Sequence, residues 1–118
     1  MPTAPDAYPP FAVTRARRLE ARRATAIQAL RAADAVVRAA GGHLLVFGSL
    51  AEGGFHERSD VDVAILGLDG EVAARVATEV DRLLAEAGFV ADVIPERFLP
   101  PSLRERVLDR GREPGTLG

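Results

Sequence analysis

The stretch Gly48–Asp62, GSLAEGGFHERSDVD, joins two short apolar runs and decides the fold of this chain. The run before it, HLLVF at His43–Phe47, and the run that overlaps its end, VDVAIL at Val61–Leu66, have the length and composition of strands. In a strand, residues two apart point to the same face. Asp60 and Asp62 are therefore expected to lie side by side, while the alternate valines and the isoleucine face a core.

This pair of acidic residues and the turn before it indicate a chemistry. Two carboxylates held close together repel each other unless a cation lies between them. Mg²⁺ favours hard oxygen ligands of this kind and keeps positions for water and phosphate oxygens. Gly48 lets the backbone approach a ligand, and a turn from strand to helix at Gly48–Ser49 presents free N–H groups to an anion. The sequence therefore predicts a phosphate cradle facing a metal site, as in Mg²⁺–nucleotide chemistry.

Composition narrows the candidate sites. The chain has 118 residues, no cysteine and two histidines, so one domain is expected, and any metal site must depend on carboxylates. All fifteen basic residues are arginines, so a phosphate contact must come from arginine or from backbone N–H groups. A net charge of −2 favours neither nucleic acid nor a membrane as partner. Without a span-length apolar run or a secretory pattern, a cytoplasmic location is predicted.

The chain divides into three segments. Residues 1–10 contain four prolines and are predicted to form a disordered arm, residues 11–112 a single domain, and residues 113–118 a frayed tail. The domain opens with a long helix, about 11–40, whose polar face carries seven arginines against Glu20 and Asp34. A solvated helix face is the favoured interpretation of these arginines, and a surface for an acidic partner or RNA is the alternative.

Three more elements are expected after the second strand. A helix starts at Asp69, which is expected to cap it, and ends at Gly88. A strand follows over residues 89–94 and carries a third acidic residue, Asp92. A short last helix begins with a capping-box pattern at Ser102 and Glu105.

Taken together, Gly48–Ser49, the Ser59–Asp62 segment and Asp92 resemble the minimal nucleotidyltransferases of the DNA polymerase beta superfamily. The family pattern is Gly-Ser, a loop of about ten residues, Asp-x-Asp, and a third carboxylate one helix and one strand later. The resemblance extends over residues 26–111. It implies an α+β fold with a small mixed sheet and helices packed mainly on one face.

The resemblance also implies an activity and roles for particular residues. The reaction is the Mg²⁺-dependent transfer of a nucleoside monophosphate, AMP from ATP in the favoured case, to an acceptor hydroxyl. The resemblance implies that Asp60, Asp62 and Asp92 bind two Mg²⁺ ions, and that Asp92 also favours deprotonation of the acceptor hydroxyl. Contacts with the nucleotide fall to Gly48, Ser49, Ser59 and Arg58. Ser59 has the alternative of capping or orienting the start of the second strand at Asp60, and Glu96 is the alternative third carboxylate if the strand register shifts.

The smallest relatives of this kind are often paired with a small helical protein of the HEPN type. The resemblance therefore implies an antitoxin of a toxin–antitoxin pair that adenylylates its partner, in a hetero- or homo-oligomer. Many relatives carry arginine where this chain has Glu52. Because an acid would repel the triphosphate, a weakly active or non-catalytic antitoxin that acts by complex formation is the alternative. Transfer to a small molecule such as an aminoglycoside is disfavoured.

Overall fold

A three-stranded mixed sheet forms the centre of the fold in this computed structural model, which describes residues 11–118. The strands are β1 (His43–Phe47), β2 (Val61–Leu66) and β3 (Ala91–Pro95), in that order across the sheet. β1 runs antiparallel to β2, and β2 runs parallel to β3. β3 lies slightly later in the chain than predicted, with Phe89 buried just before it.

Four helices and two single 3₁₀ turns surround the sheet in the described residues. The helices are α1 (Phe11–Ala39), α2 (Ser49–Glu52), α3 (Gly70–Glu86) and α4 (Pro101–Arg110), and the 3₁₀ turns are Glu96–Phe98 and Pro114–Thr116. No helix in this part of the chain is long and apolar enough to cross a membrane.

The two faces of the sheet are covered unequally. One face of β2 presents three almost fully buried residues, Val61, Val63 and Ile65. They pack with α1 and α3 in the main core. On the opposite face, Ala64 packs with Val107 of α4 in a smaller cluster. The α+β fold, with a mixed sheet and helices mainly on one face, is therefore confirmed. Asp62 alternates with the core residues and so belongs to the less covered face.

Both predicted helix caps are absent. Asp69 precedes α3, but its side chain makes no capping hydrogen bond. α4 begins at Pro101 and follows Pro100, so Ser102 lies inside the first turn, and no side chain caps this helix. Proline in the first turn needs no hydrogen bond to its nitrogen and already has a helical φ, which explains why α4 starts two residues earlier than the capping-box pattern predicts.

The C-terminal tail is ordered, contrary to the prediction of fraying. Leu117 is only 3% exposed and joins the main core. Its carbonyl oxygen accepts a hydrogen bond from Arg23 Nη2 at 3.1 Å. Val46 and Arg112 exchange two backbone hydrogen bonds of 2.7 and 2.8 Å, which cover part of the outer edge of β1. One buried leucine and these backbone bonds outweigh the fraying expected of a short Gly-rich end. The predicted arm, residues 1–10, lies outside the described residues.

Candidate functional site

Asp62 and Asp92 occupy equivalent positions on neighbouring strands. Each is the second residue of its strand, and the parallel register of β2 and β3 pairs them directly. Paired residues in a sheet project to the same face, so both side chains emerge on the face that α4 covers in part. Asp60 directly precedes β2 and is exposed, as is Asp92, whereas Asp62 is partly buried.

The negative charges of Asp60 and Asp92 act on the carboxylate of Asp62. Its pKa is raised above the ordinary aspartate value, chiefly because burial disfavours the charged carboxylate, then by the charge of Asp92 and that of Asp60. A carboxylate in this position is unfavourable unless a cation or a proton compensates it. The structure therefore pairs Asp62 directly with Asp92 and leaves Asp60 close enough for its charge to act on Asp62.

Gly48 is required at this site for two separate reasons. Its backbone angles, φ 72° and ψ −152°, lie in a region that is almost exclusive to glycine. A Cβ atom added at Gly48 would also lie 2.3 Å from Oδ2 of Asp62, which is far inside any allowed contact. The absence of a side chain lets the turn between β1 and α2 lie directly against the Asp62 carboxylate.

The short helix α2 follows this turn. Gly48 O accepts hydrogen bonds from the N–H groups of Ala51 and Glu52, at 3.2 and 2.9 Å. The N–H groups at the start of a helix have no partner within the helix. Ser49, the first residue of α2, is partly exposed and lines an open depression of about 550 Å³. The turn at Gly48 thus joins the Asp62 carboxylate to the start of α2, although none of the three aspartates lines this depression.

The donor chemistry of this site fits Mg²⁺. Carboxylate oxygens are hard ligands, and Mg²⁺ commonly takes one or two of them while it keeps waters and phosphate oxygens. Within residues 11–118, no three His, Asp or Glu side chains are already gathered around a point that would hold an ion. The aspartates that could hold Mg²⁺ are Asp62 with Asp92 and Asp60, because their mutual repulsion would be relieved by the ion.

Ser59 fixes the loop that leads into Asp60. Its Oγ accepts a hydrogen bond from the N–H of His56 at 2.9 Å, and its own N–H donates to the His56 carbonyl at 3.0 Å. The N–H of Arg58 donates to Nδ1 of His56 at 3.2 Å. The Arg58 side chain lines a depression with the first turns of α1, and none of the three aspartates lines that depression. Ser59 thus orders the loop that leads into Asp60 through its two hydrogen bonds with His56.

Glu96 lies at the other end of the sheet from Asp62. It follows the last residue of β3, and its Oε1 accepts a hydrogen bond from the N–H of Gly67, just beyond β2, at 2.9 Å. Arg104 donates to its Oε2 at 2.7 Å. These contacts, the Gly67 bond first and Arg104 second, hold the pKa of Glu96 below its ordinary value. Glu96 is therefore not the third carboxylate of this site.

Comparison with known proteins assigns the family. A family model described as a nucleotidyltransferase domain matches residues 31–113, which is more than half of the chain. The chain belongs to the nucleotidyltransferase domain family. Comparison with curated protein sequences finds no significant match.

Two solved structures resemble this nucleotidyltransferase. The first, described as a candidate minimal nucleotidyltransferase, is 31% identical with a TM-score of 0.53, over 81% of this chain and 92% of that chain. The second is a mutant of the MntA–HpeT toxin–antitoxin pair, 23% identical with a TM-score of 0.45, over 60% of this chain and 57% of that chain. The first match agrees with the family assignment and with the fold.

Glu52 is paired with two arginines of α4. Its Oε2 accepts hydrogen bonds from Arg106 Nε at 3.1 Å and Nη2 at 2.8 Å, and its Oε1 accepts one from Arg110 Nη1 at 3.3 Å. The Arg106 hydrogen bond is the main cause that lowers the pKa of Glu52, and Arg110 adds to it against an opposing effect of burial. Sequence reasoning missed this cluster. The four-residue spacing of the arginines predicts that they share one helix face, but it does not predict that this face contacts α2.

Arg22 of α1 joins the two segments that lead into the aspartates. Its Nε donates to the carbonyl of Glu57 at 3.0 Å, and its Nη2 donates to the carbonyl of Gly88 at 3.1 Å. Its guanidinium also lies over the Phe89 ring, 4.2 Å from the centroid. One side chain thus holds the loop before Asp60 and the turn before β3. No sequence signal distinguishes Arg22 from the other arginines of α1.

Replacing Arg22 by alanine is expected to destabilise the nucleotidyltransferase by about 1–3 kcal/mol, because two carbonyls lose a charged donor and the Phe89 ring loses its cover. The measurement is the free energy of unfolding in urea. Arg18→Ala removes an exposed arginine from the same helix and is expected to change this free energy by less than about 0.5 kcal/mol. Equal values for the two variants would contradict the role of Arg22.

Proposed function

We propose that this nucleotidyltransferase transfers a nucleoside monophosphate, AMP from ATP, to a hydroxyl group of a protein partner. The observation that carries the proposal is the position of Asp62. It is paired with Asp92, follows Asp60 by two residues, and lies against the backbone of Gly48. Three carboxylates beside a glycine turn and a helix start match the needs of a polyphosphate that binds with metal ions.

Asp60, Asp62 and Asp92 are the residues that would hold Mg²⁺. When bound there, Mg²⁺ would neutralise charge on the phosphate oxygens of the substrate during displacement at phosphorus. Gly48 and Ser49 would contact the phosphates through the turn and the first N–H groups of α2. Ser59 contributes by ordering the loop before Asp60.

The reaction forms one bond to phosphorus and breaks one. The acceptor hydroxyl oxygen attacks the α-phosphorus of ATP, the bond between that phosphorus and the α–β bridging oxygen breaks, and pyrophosphate leaves with its electrons. The exposed Asp92 carboxylate, on the edge strand β3, would accept the hydroxyl proton. The protein contributes position and charge and needs no covalent nucleophile.

The first half of α1 supports a protein as the acceptor. Residues 11–18 are all exposed, and the buried residues of α1 begin only at Ala26. Phe11 is 68% exposed and Val13 40%, among several arginines. Exposed apolar groups with arginine are typical of interfaces. We infer a small helical partner of the HEPN type with an acidic face, as in a toxin–antitoxin pair.

The non-catalytic alternative depends on Glu52, and its contacts weaken that alternative. The carboxylate is bonded to Arg106 and Arg110 and its side chain is only 18% exposed. Two positive charges therefore oppose the one negative charge that would repel a triphosphate. Catalysis is accordingly the first proposal, and complex formation without catalysis the second.

Binding of Mg²⁺ and ATP is expected to raise the melting temperature on the order of 10 °C when ATP is at roughly a hundred times its Kd. ATP with excess EDTA should produce little shift. Asp92→Asn is expected to reduce the shift, whereas Asp81→Asn, an exposed aspartate on α3, should keep it. Equal shifts with and without chelator would count against a metal-dependent site.

Transfer itself is tested with α-labelled ATP and a candidate partner, which is a small helical protein if the neighbouring reading frame encodes one. Label on the partner that requires Mg²⁺ and is lost in Asp92→Asn supports catalysis. If Asp92→Asn still neutralises the partner in cells as well as the wild type does, the second proposal, complex formation, replaces the first.

A further inference from the structure

We propose that Arg22 of α1 is a positioning residue for the metal site, because it fixes Asp60 relative to the paired aspartates of β2 and β3. This inference rests on the proposed function, since it assigns a residue that acts on the proposed Mg²⁺ ligands and not on the ion itself. Arg22 lies outside residues 31–113, which the family model matches, so membership of the family assigns it no role.

The three carboxylates are not held in the same way. Asp62 and Asp92 belong to β2 and β3, and the parallel register of these strands sets their relative position. Asp60 precedes that register, and the hydrogen bond of 3.0 Å from the N–H of Val61 to the carbonyl of Val90 comes only after it. The position of Asp60 therefore depends on how the preceding loop enters the sheet.

Arg22 ties residues 56–59, the segment that leads into Asp60, to α1. Its Nε donates to the carbonyl of Glu57 at 3.0 Å, three residues before Asp60. Among the described residues, the other hydrogen bonds of residues 56–59 stay within that segment. Without Arg22 the segment would keep its internal turn but lose the hydrogen bond that fixes it to α1.

The same guanidinium holds the start of β3. Its Nη2 donates to the carbonyl of Gly88 at 3.1 Å, four residues before Asp92, and its central carbon lies 4.2 Å from the centroid of the buried Phe89 ring. A planar group that is bonded through two nitrogens and packed on one face has little freedom to turn. Arg22 thus sets the spacing between the segment before Asp60 and the turn before Asp92.

The neighbouring residue Arg23 provides a matched control. It lies on the same helix, is half-buried like Arg22, and donates a hydrogen bond of 3.1 Å to a backbone carbonyl, that of Leu117. That bond joins α1 to the C-terminal tail and not to the segments that carry the aspartates. The two arginines therefore differ in what they hold, while their charge and their type of contact are the same.

The experiment measures Mg²⁺ binding by NMR, from the backbone amide shifts of Asp60, Asp62 and Asp92 during titration with Mg²⁺, with and without ATP. Arg22→Gln is expected to weaken Mg²⁺ binding roughly tenfold, the lower end of the range for residues that orient metal ligands, and to reduce the shift of Asp60 most. The sign of this effect is diagnostic. Removal of a positive charge near a cation site would by itself strengthen cation binding.

Arg22→Lys keeps the charge but loses the planar fork, so it is expected to weaken Mg²⁺ binding as well, whereas Arg23→Gln should bind as the wild type does. All variants are compared at a temperature at which melting curves in EDTA show them to be folded. Should Arg22→Gln not fold, Arg22→Lys decides the question, because it retains the charge and a donor.

Two results would overturn this inference. If the folded Arg22 variants bind Mg²⁺ as tightly as Arg23→Gln, Arg22 does not position the ligands, and the proposed function stands without it. If the wild type shows no Mg²⁺-dependent shift at the three aspartates, with or without ATP, the proposed function is wrong, and this inference with it.

Discussion

Replacing Asp62 by asparagine is expected to abolish Mg²⁺-dependent nucleotidyl transfer and, at the same time, to stabilise the metal-free protein at neutral pH. The loss of activity follows from the central position of Asp62 between Asp60 and Asp92. Metal ions contribute several kcal/mol to such reactions, so the rate should fall on the order of a thousandfold or more.

The gain in stability follows from the raised pKa of Asp62. The native state binds the Asp62 proton more readily than the unfolded state, because burial and then the charges of Asp92 and Asp60 disfavour the carboxylate. The free energy of unfolding therefore falls as pH rises from the ordinary aspartate pKa through the raised native pKa. Asparagine is never charged, so the variant does not lose this stability. Its advantage over the wild type should be small below about pH 4 and largest at neutral pH.

Thermal unfolding from pH 3.5 to 8 in EDTA measures this difference in stability. The same measurement in Mg²⁺ shows whether the ion stabilises the wild type and leaves the variant unchanged. Asp81→Asn is the control, since Asp81 is exposed on α3. A variant that is less stable than the wild type at pH 7 in EDTA would contradict the electrostatic account. A variant that retains transfer would exclude Asp62 as the central metal ligand.

The parts of the fold that depend on local pattern could be predicted from the sequence. The alternation of apolar residues from Val61 to Leu66 predicted a strand, and the glycines that end α1 and α3 marked the ends of the long helices. Both signals can be read from the sequence because buried residues recur every two positions in a strand and every three to four in a helix. The pairing of Asp62 with Asp92 could be expected only from the family resemblance. Register between strands separated by a helix depends on how α3 packs, which no local signal records.

The contacts that sequence reasoning missed all join distant segments. Glu52 and Arg106 are 54 residues apart, and Arg22 and Gly88 are 66 apart. Glu52 in isolation predicts an unpaired acid beside a phosphate site, whereas the structure pairs it with Arg106 and Arg110 of α4. The tail was misjudged for the same reason, because only the folded core shows the space that Leu117 fills. Long charged side chains have many donors and few local constraints, so one sequence does not assign their partners.

Replacing Gly48 by alanine is expected to destabilise the protein more than the same change at Gly53, and to reduce activity at least tenfold. The two glycines bracket α2, and both have a positive φ, 72° at Gly48 and 102° at Gly53. Each alanine therefore incurs the strain of a backbone conformation that side chains avoid, about 1–3 kcal/mol. Apart from Gly53 itself and its two chain neighbours, no atom lies within 4 Å of the Cβ position there. That variant measures backbone strain alone.

At Gly48 the added Cβ would lie 2.3 Å from Oδ2 of Asp62, so the carboxylate or the turn must move. Overpacking of this kind costs about 1–3 kcal/mol beyond the strain. The difference between the two variants in the free energy of unfolding, measured in urea, gives the energetic cost of the clash. Activity should fall in Gly48→Ala and not in Gly53→Ala. Displacement of Asp62 would disturb the proposed metal ligands, whereas a side chain at position 53 does not reach them. If Gly48→Ala and Gly53→Ala lose equal stability and equal activity, contact between the turn and Asp62 is not what makes glycine necessary at position 48.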